Sequence, residues 1–398
     1  MQRNSISIYV QGIGSVGRNF LSILADEGKL ISERTGMDMV LGGASDRTGS
    51  VIFSKPVAPA DLLKAKFSGN ILSLGKEVTS REMTENEGGI LVDMSSASRD
   101  GSRELQMYLS AMKNGMDIVT ANKSPLANHW KQIMDNALAG GRTVLYEATV
   151  AGGVPLFSLL GGSCGPSTVN EFRGIVSLTA NFVLKQMREG NTFMDAVAEA
   201  QKRGIAETNF RDDTDGLDGA RKTVILANAL FGKNMTLKDI KTSGVSESTD
   251  VKGMDRYRLI AEITRSGNEV HAFSGLRNLD DGDYLLSLGE MSLGYEVNTS
   301  RNGRLRIHSV SDGPVFLGKF LEFILYYTAP QVFACQNFLQ GQDFFPDILQ
   351  FLLNLADFQR RKPLQPEFKN RVGLHVVDFK FRHQVRPCRR NIPGTTYD

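Results

Sequence analysis

Three glycines, spaced two and three residues apart, directly follow the first apolar run of the chain. The apolar run covers residues 6–10, and the segment after it reads Gly12, Ile13, Gly14, Ser15, Val16 and Gly17. An amphipathic helical pattern begins at once after these residues. The first glycine permits a tight turn, the second lets the backbone approach a pyrophosphate, and the third allows close packing of the helix on the sheet. The strand, turn and helix therefore predict a dinucleotide-binding site formed by all six residues.

The first 150 residues alternate short apolar runs with helical patterns. The strand candidates are residues 6–10, 39–44, 90–94, 118–120 and 143–146, and the helix candidates between them are residues 18–30, 102–114 and 127–139. This alternation is typical of a parallel sheet with helices on both faces. We therefore predict an α/β nucleotide-binding domain over residues 1–150.

The rest of the chain divides at about residue 308. Residues 151–308 mix helical patterns with alternating stretches, which predicts an α+β domain. The helical patterns cover residues 181–188, 193–202 and 217–231, and the alternating stretches cover residues 269–276 and 284–288. Residues 309–398 hold 12 of the 22 phenylalanines and 7 of the 12 prolines, but none of the 14 methionines. We interpret this unassigned tail as a poorly ordered extension or as the product of a translated frame error.

The composition excludes several classes of protein. The 398 residues are 41% hydrophobic and 23% charged, which excludes a disordered or collagen-like chain. The formal net charge of +2 gives no reason to expect nucleic acid or a membrane surface as a partner, so a small-molecule substrate is expected. Three scattered cysteines do not form a disulfide framework, and the first apolar run is too short for a secretory signal. We therefore expect a cytoplasmic protein without a membrane span.

Two charged residues follow the second strand candidate. In sheets of this type, Asp46 could accept hydrogen bonds from the adenosine ribose and favour NAD, whereas Arg47 could bind a 2′-phosphate and favour NADP. The same residues could also form a simple polar turn. The sequence leaves the choice between NAD and NADP open.

Polar residues also end the third and fourth strand candidates. Ser95 follows residues 90–94, and Lys123 follows residues 118–120. Ligands of open α/β sheets bind beyond the carboxyl ends of the strands. We therefore predict that both residues lie in the cofactor site, with Lys123 beside the nicotinamide, although a lysine in a surface loop would give the same pattern.

A cluster of charged residues precedes the most apolar helix of the chain. It runs from Glu207 to Lys222 and includes Asp213, Asp215 and Asp218. If a helix starts near residue 215, Asp215, Asp218 and Lys222 fall on one face of it. The residues after Lys222 are apolar almost all round, as in a buried helix. Carboxylates and an ammonium at the start of a buried helix indicate an amino-acid site, whereas a solvated ion-pair stripe is the alternative.

Taken in order, these motifs resemble those of homoserine dehydrogenases. The resemblance covers roughly residues 5–300 and rests on four segments, which are residues 12–17, 119–123, 146–155 and 207–222. It implies a Rossmann-type, doubly wound nucleotide domain, an α+β substrate and dimerisation domain, and hence a homodimer. It also implies the NAD(P)-dependent interconversion of L-homoserine and L-aspartate 4-semialdehyde, in the biosynthesis of threonine, methionine and isoleucine.

The resemblance assigns roles to the charged residues. Lys123 and Lys222 match the two active-site lysines of the family, and carboxylates of its substrate pocket are matched by Glu207, Asp213 and Asp218. Lys222 is thereby expected to contact the substrate and to transfer the proton of its 4-hydroxyl group. Lys123 is expected near the nicotinamide and the substrate, and Asp218 beside the reacting groups.

The resemblance also implies a monovalent cation such as sodium. The family can bind one through a carboxylate and several backbone carbonyls, and the matching residues are Glu147, Val150, Gly152 and Val154. A glycine-rich interdomain turn would have the same sequence, because sites built on backbone oxygens leave little trace in side chains.

Two positions depart from the family pattern. Residues 207–210 replace an acid-proline-acid-proline run, and Leu178 stands where the family has a glycine. A leucine there requires a different local backbone, because glycine alone adopts positive φ freely. Two other functions are therefore considered, a related dehydrogenase acting on another small amino or hydroxy acid, and a non-catalytic nucleotide-binding protein. The lysines and carboxylates favour an enzyme.

Overall fold

Seven strands of the amino-terminal half form one sheet. The computed structural model describes residues 4–151, 154–163, 167–206, 210–289 and 292–310. The strands are β1 (Asn4–Gln11), β2 (Met37–Asp46), β3 (Gly49–Val57), β4 (Lys76–Val78), β5 (Ile90–Asp93), β6 (Asp117–Thr120) and β7 (Val144–Leu145). Their spatial order is β4-β3-β2-β1-β5-β6-β7, with β3 and β4 antiparallel at one edge and the other five parallel. The chain order reverses on either side of β1, which is the topology of a doubly wound sheet and confirms the predicted fold class.

Five helices belong to this half. They are α1 (Ser15–Thr35), α2 (Pro59–Phe67), α3 (Ser80–Met83), α4 (Ser102–Lys113) and α5 (Lys123–Gly140), with a 3-10 turn at Ile71–Leu74. Every strand and helix candidate of this half is found. Strands β3 and β4 were not predicted, since β4 has only 3 residues and β3 ends in a polar stretch that contains Pro56.

Six strands form a second sheet. They are β8 (Val169–Gly174), β9 (Lys241–Thr242), β10 (Tyr257–Ser266), β11 (Glu269–Asn278), β12 (Ser292–Thr299) and β13 (Gly303–Val310). Their order is β13-β12-β8-β10-β11-β9, and neighbours are antiparallel except β11 and β9. The helices of this half are α6 (Leu156–Ser158), α7 (Leu178–Arg188), α8 (Phe193–Lys202), α9 (Arg211–Thr214) and α10 (Leu217–Phe231). Helices α8 and α10 have the predicted bounds, and the mixture of sheet and helices is the expected α+β arrangement.

The structure contradicts a strand at residues 284–288. Residues Tyr284–Leu286 form a 3-10 turn. The side chain of Asp283 accepts a hydrogen bond of 2.9 Å from the backbone N–H of Leu285, and the hydroxyl of Ser287 donates one of 2.7 Å to the carbonyl of Tyr284. Such local side-chain bonds offer the backbone an alternative to pairing in a sheet. Further 3-10 turns lie at Glu147–Thr149 and Leu237–Asp239, and a π-helical turn lies at Leu159–Ser163.

The two largest apolar clusters of the described residues connect these elements. Ile8 and Phe20 belong to the cluster between the first sheet and α1. The other cluster includes Leu91 of the first sheet together with Phe172 and Tyr295 of the second. Because this second cluster is continuous, the two sheets share one apolar core. None of the helices in the described ranges is both long and apolar enough to cross a bilayer.

A row of buried polar side chains crosses the first sheet at its carboxyl edge. From β3 to β6 it consists of Ser50, Ser45, Gln11, Asp93 and Thr120, and the strand register places each one opposite the next. Each residue is at most 7% exposed. The row adjoins the glycine-rich turn that follows β1, so polar groups extend from the interior to the edge where a cofactor is expected.

Candidate active site

The glycine-rich turn packs directly on Ser95. Gly12 has a φ of +92°, and a Cβ atom there would lie 2.5 Å from the backbone nitrogen of Ser95. A Cβ atom on Gly17 would lie 2.2 Å from the carbonyl oxygen of Gly12, whereas one on Gly14 would meet nothing within 4 Å. Gly14 is the N-cap of α1 and provides no side-chain cap to its first amides. An open cradle of backbone N–H groups at a helix start fits a pyrophosphate.

Asp46 is already bound to other side chains at the end of β2. Its Oδ1 atom accepts hydrogen bonds of 2.7 and 2.6 Å from the backbone and hydroxyl of Thr48, and its Oδ2 atom pairs with the ammonium of Lys66. Burial alone would raise the pKa of Asp46, but Lys66 and Thr48 together lower it below the ordinary value. Arg47 is exposed and forms no ion pair with the part of the chain that the structure describes. A ribose hydroxyl would therefore compete with Lys66 for Asp46, while Arg47 is available to an anion.

The side chain of Asp93 organises the ends of β5 and β6. Its Oδ1 atom accepts hydrogen bonds of 2.9 and 2.6 Å from the backbone and hydroxyl of Ser95, and its Oδ2 atom accepts one of 2.6 Å from the phenol of Tyr108. The phenol oxygen also lies 2.8 Å from the hydroxyl of Thr120. Burial raises the pKa of Asp93, in opposition to these hydrogen bonds. The hydrogen bonds of Asp93 thus hold the loop that carries Ser95 at the end of β5.

A further contact extends this network to Lys123. The side chain of Asn122 donates a hydrogen bond of 3.1 Å to the hydroxyl of Ser95 and accepts one of 3.1 Å from the backbone of Ser124. Asn122 is the N-cap of α5, whose first residue is Lys123. The predicted cofactor residues Gly12, Ser95 and Lys123 therefore lie along one series of contacts.

Two lysines meet at the carboxylate of Asp218. The ammonium of Lys123 lies 3.1 Å from Oδ1, and that of Lys222 lies 2.7 Å from Oδ2. The Lys222 ammonium also donates a hydrogen bond of 2.6 Å to the carbonyl of Val176. Helices α5 and α10 bring the lysines together because Ala127 packs against the apolar face of α10. The structure thus joins the two lysines and Asp218, which the sequence assigned to one site.

The carboxylates of Asp213 and Asp218 differ in their preference for a proton. Burial would raise the pKa of Asp218, but the adjacent charges of Lys123 and Lys222 hold it well below the ordinary value. Burial and the charge of Asp218 raise the pKa of Asp213 to about 6, although both lysines act against the increase. Asp213 lies within the field of all three charges and belongs to the same cluster.

The structure corrects one local expectation, at Asp215, and agrees with another, at Leu178. Asp215 does not share a helical face with Asp218, because Gly216 adopts a φ of +86° and separates α9 from α10. Asp215 is exposed at the end of α9. Leu178 is the first residue of α7, where the side chain of Ser177 accepts a hydrogen bond of 3.2 Å from the backbone of Ala180. The leucine therefore fits a capped helix start, and no described residue other than glycine has a positive φ.

The predicted cation segment is only partly described. Glu147 is buried, and its carboxylate accepts hydrogen bonds of 2.6 Å from the backbone of Phe157, 2.8 Å from the backbone of Ser158 and 2.6 Å from the hydroxyl of Ser158. Burial raises the pKa of Glu147. Val150 and Val154 are buried nearby in sequence. Gly152, like the predicted substrate residue Glu207 and the tail from residue 311 onward, lies outside the described residues.

Sequence reasoning missed Asp93, Tyr108 and Arg221. Asp93 carried a usable signal, since a carboxylate that ends an apolar strand is placed at the edge where ligands bind. Tyr108 and Arg221 lie on helices and contact residues that are distant in sequence, so no local pattern marks them. In the described ranges, no group of three or more His, Cys, Asp or Glu side chains has the arrangement of a metal site.

Two family models match the chain. A model of homoserine dehydrogenase matches residues 155–315, and a model of the NAD-binding domain of homoserine dehydrogenase matches residues 12–147. The homoserine dehydrogenase of Sulfurisphaera tokodaii is 34% identical over 254 residues, which cover 63% of this chain and 76% of that protein. The chain belongs to the homoserine dehydrogenase family. The homoserine dehydrogenase of Methanocaldococcus jannaschii is 32% identical over 254 residues, which cover 61% of this chain and 74% of that protein.

Solved homoserine dehydrogenases share the fold. The enzyme of Thermoplasma acidophilum superposes with a TM-score of 0.73 at 37% identity, over 82% of this chain and 100% of that one. A hyperthermophilic archaeal homoserine dehydrogenase in complex with NADPH superposes with a TM-score of 0.68 at 25% identity, over 81% of this chain and 98% of that one. As a member of the homoserine dehydrogenase family, this chain is an NAD(P)-dependent oxidoreductase that acts on a CH–OH group, which confirms the activity implied by its motifs.

Proposed function

We propose that Lys123, Lys222 and Asp218 form the catalytic group with which this chain interconverts L-homoserine and L-aspartate 4-semialdehyde. The observation that carries the proposal is the contact of two ammonium groups with one buried carboxylate, at 3.1 and 2.7 Å. Asn122 and Ser95 connect this cluster to the glycine-rich turn. A substrate bound at the cluster would therefore lie beside a cofactor bound at the turn.

Gly12, Ile13, Gly14, Ser15, Val16 and Gly17 would hold the pyrophosphate through the open cradle described above. Ser95 would lie beneath the nicotinamide half, and Lys123 would contact both cofactor and substrate. When bound, NAD(P) accepts the hydride from the alcohol carbon or returns it to the aldehyde.

Lys222 is the group that moves the proton. Both of its partners, the Asp218 carboxylate and the Val176 carbonyl, are hydrogen-bond acceptors, so they orient the N–H groups of the side chain. In the reducing direction this ammonium donates a proton to the oxygen that becomes the 4-hydroxyl group. In the oxidising direction Lys222 first releases a proton to solvent, and the resulting amine accepts the hydroxyl proton.

The amino-acid end of the substrate requires charges of the opposite sign. Its α-ammonium would bind the carboxylates of Asp213 and Glu207. Asp213 suits this role because it lies in the field of both lysines and of Asp218. The ammonium of a bound substrate would add a positive charge beside the Asp213 carboxylate, in the place of one of the lysine charges that act on it now.

We infer that NADP is the preferred cofactor. Asp46 is engaged by Lys66 and Thr48, which weakens its use as a ribose acceptor. Arg47 is exposed beside it, and Lys66 adds a second positive charge, so the end of β2 favours a 2′-phosphate. The ratio of kcat/KM for NADP to that for NAD tests this inference, and a ratio below one contradicts it.

The proposed reaction is tested by mixing the purified protein with homoserine and either cofactor and recording the absorbance of the reduced cofactor. Turnover with homoserine supports the proposal. Turnover only with a different small amino or hydroxy acid would exclude homoserine as the substrate.

The remaining features are proposed from the family resemblance. The chain would form a homodimer in the cytoplasm, with a nucleotide domain at residues 1–150 and a catalytic domain at residues 151–308. Sodium would bind at Glu147 and the backbone carbonyls of Val150, Gly152 and Val154. Light scattering in solution tests the dimer, and replacement of sodium by choline in the activity assay tests the cation.

A further inference from the structure

Arg221 connects segments that carry the candidate site residues. It is 2% exposed. Its Nη1 atom lies 3.0 Å from the Asp212 carboxylate in α9, and its Nη2 atom donates hydrogen bonds of 3.3 and 3.4 Å to the carbonyls of Ser98 and Arg99. Its neighbour along α10 is Lys222. One guanidinium therefore joins α10 and α9 of the catalytic half to the loop that follows β5.

The carbonyl of Ser98 receives a second donor from the other lysine-bearing helix. The hydroxyl of Ser124, which follows Lys123 at the start of α5, also donates to this oxygen. Ser98 is itself fixed, because its hydroxyl donates a hydrogen bond of 2.6 Å to Glu104 of α4. The residue after Lys123 and the residue before Lys222 thus bind the same oxygen atom, in the loop that begins with Ser95.

Packing between α5 and α10 does not by itself explain an arginine at this position. Ala127 of α5 contacts a cluster that includes Ala220 and Val224 of α10, and such apolar contacts are non-directional. The Nε atom of Arg221 is buried and has no hydrogen-bond partner among the described residues. A buried donor without a partner lowers stability, and an apolar side chain would avoid that cost. The rigid fork of the guanidinium instead gives orientation to the groups it binds.

We propose that Arg221 is a positioning residue that couples the binding of the cofactor to the binding of homoserine. The inference rests on the proposed function. A cofactor that orders the loop from Ser95 to Arg99 would fix the Ser98 carbonyl, and through Arg221 and Ser124 it would fix the two lysines. By thermodynamic linkage, homoserine then tightens cofactor binding by the same factor.

The test uses NADPH and homoserine, a pair that binds but cannot react because both are reduced. NADPH fluorescence gives its Kd with and without saturating homoserine, and the ratio is the coupling factor. We expect a factor of about fivefold or more in the wild type. Arg221→Lys keeps the charge and loses the fork, so its factor should fall to within about twofold of one, with a KM for homoserine raised about tenfold. The Kd of the variant for NADPH alone should stay near the wild-type value.

Arg265 provides a matched control. This half-buried arginine donates a hydrogen bond of 3.2 Å to the carbonyl of Val169, at the start of β8, and one of 3.0 Å to the carbonyl of Phe231, at the far end of α10. Arg265→Lys removes a comparable fork without touching the loop after β5, so the coupling factor should be retained even if the melting temperature falls. A purely structural role for Arg221 would lower stability in both variants and leave coupling intact in both.

Wild-type coupling in Arg221→Lys overturns the proposal, as does a wild-type protein without coupling. If Arg221→Lys does not fold, Ser124→Ala removes the other donor to the Ser98 carbonyl with little change in volume. Its coupling factor should decrease, and an unchanged factor there also overturns the proposal. A wild type that binds NADPH but does not turn over homoserine overturns the proposed function as well. If the wild type turns over homoserine and the variants keep its coupling factor, only this inference is overturned.

Discussion

Lys123 and Lys222 bind opposite oxygens of one buried carboxylate. That carboxylate belongs to Asp218, and it can neutralise only one of the two ammonium charges. Asp213 supplies the second negative charge when it is ionised, so the cluster changes from neutral to positive as Asp213 takes up a proton. The charge of this site is therefore set by pH within a range where the protein can be assayed.

Lys222→Ala should abolish turnover and leave the affinity for the cofactor within a few-fold of the wild type. Loss of a positioned proton-transfer group typically lowers kcat by about 10²–10⁴-fold. Stopped-flow measurement of hydride transfer and fluorescence titration of NADPH separate the two effects. Lys131→Ala is the control, because Lys131 forms an exposed ion pair with Asp135 on α5. An active Lys222→Ala variant would disprove the proton-transfer assignment.

The catalytic efficiency for homoserine should fall as the pH decreases through about 6. Burial and the charge of Asp218 raise the pKa of Asp213 to about 6, and only the ionised form binds the substrate ammonium. Asp213→Asn should remove this step from the pH profile of kcat/KM and lower its value at pH 8. Asp215→Asn, a change at an exposed neighbour, should leave the profile unaltered.

The same pKa shift has the opposite sign for stability. Because the folded-state pKa of Asp213 lies above its ordinary value of 3.8, the folded state binds the proton more tightly than the unfolded state does. The stabilisation from this group is present below pH 3.8 and is lost as the pH rises through about 6. Urea unfolding can be measured below and above the pKa of about 6. If the protein is at least as stable at the lower pH, the loss of activity there is not caused by unfolding through Asp213.

Lys66→Met should shift the cofactor preference toward NAD. The substitution releases the Oδ2 atom of Asp46 for the ribose and removes a positive charge from the proposed 2′-phosphate site. A charge-assisted hydrogen bond contributes about 1.5–3 kcal/mol, so the NADP-to-NAD ratio of kcat/KM should fall about tenfold or more. Lys64→Met on the same helix is the control, since Lys64 pairs with the exposed Asp61. Equal ratios in the two variants would argue against a role for Lys66 in this preference.

Tyr108→Phe should destabilise the protein and weaken cofactor binding. It removes the hydrogen bond of 2.6 Å to Asp93 and leaves a buried carboxyl oxygen without a donor, at a cost of about 1–3 kcal/mol. The KM for the cofactor should rise because Asp93 also holds Ser95. Tyr295→Phe is the matched control, as the buried hydroxyl of Tyr295 has no partner within the described ranges. Equal losses of unfolding free energy in the two variants would contradict this account.

Local patterns predicted the parts of the site that lie at strand ends. Apolar periodicity located β1, β5 and β6, and the residues that follow them, Gly12, Ser95 and Lys123, were placed correctly at one edge. Contacts between residues that are distant in sequence could not be predicted from local patterns. The hydrogen bond between Arg221 and Ser98 joins residues 123 positions apart, and the sequence indicated only that α10 is a buried helix.

The surroundings of two side chains were not predicted from the sequence. Gly216 ends the helical path between Asp215 and Asp218 through its left-handed backbone, which a helical-face argument does not consider. Asp46 was one of several possible contacts for the cofactor, and the sequence did not indicate that Lys66, twenty residues further along the chain, pairs with it.

The buried polar row at the carboxyl edge of the first sheet also restricts how the strands can pair. A slip of β5 by one residue would replace Asp93 with Val92 or Met94 opposite Gln11, and it would turn the carboxyl group toward the apolar side chains of α1. An unpaired carboxyl in that environment is strongly unfavourable. Misaligned sheets are therefore penalised at the edge where cofactor binding is proposed, and the polar groups of this edge also select the native pairing during folding.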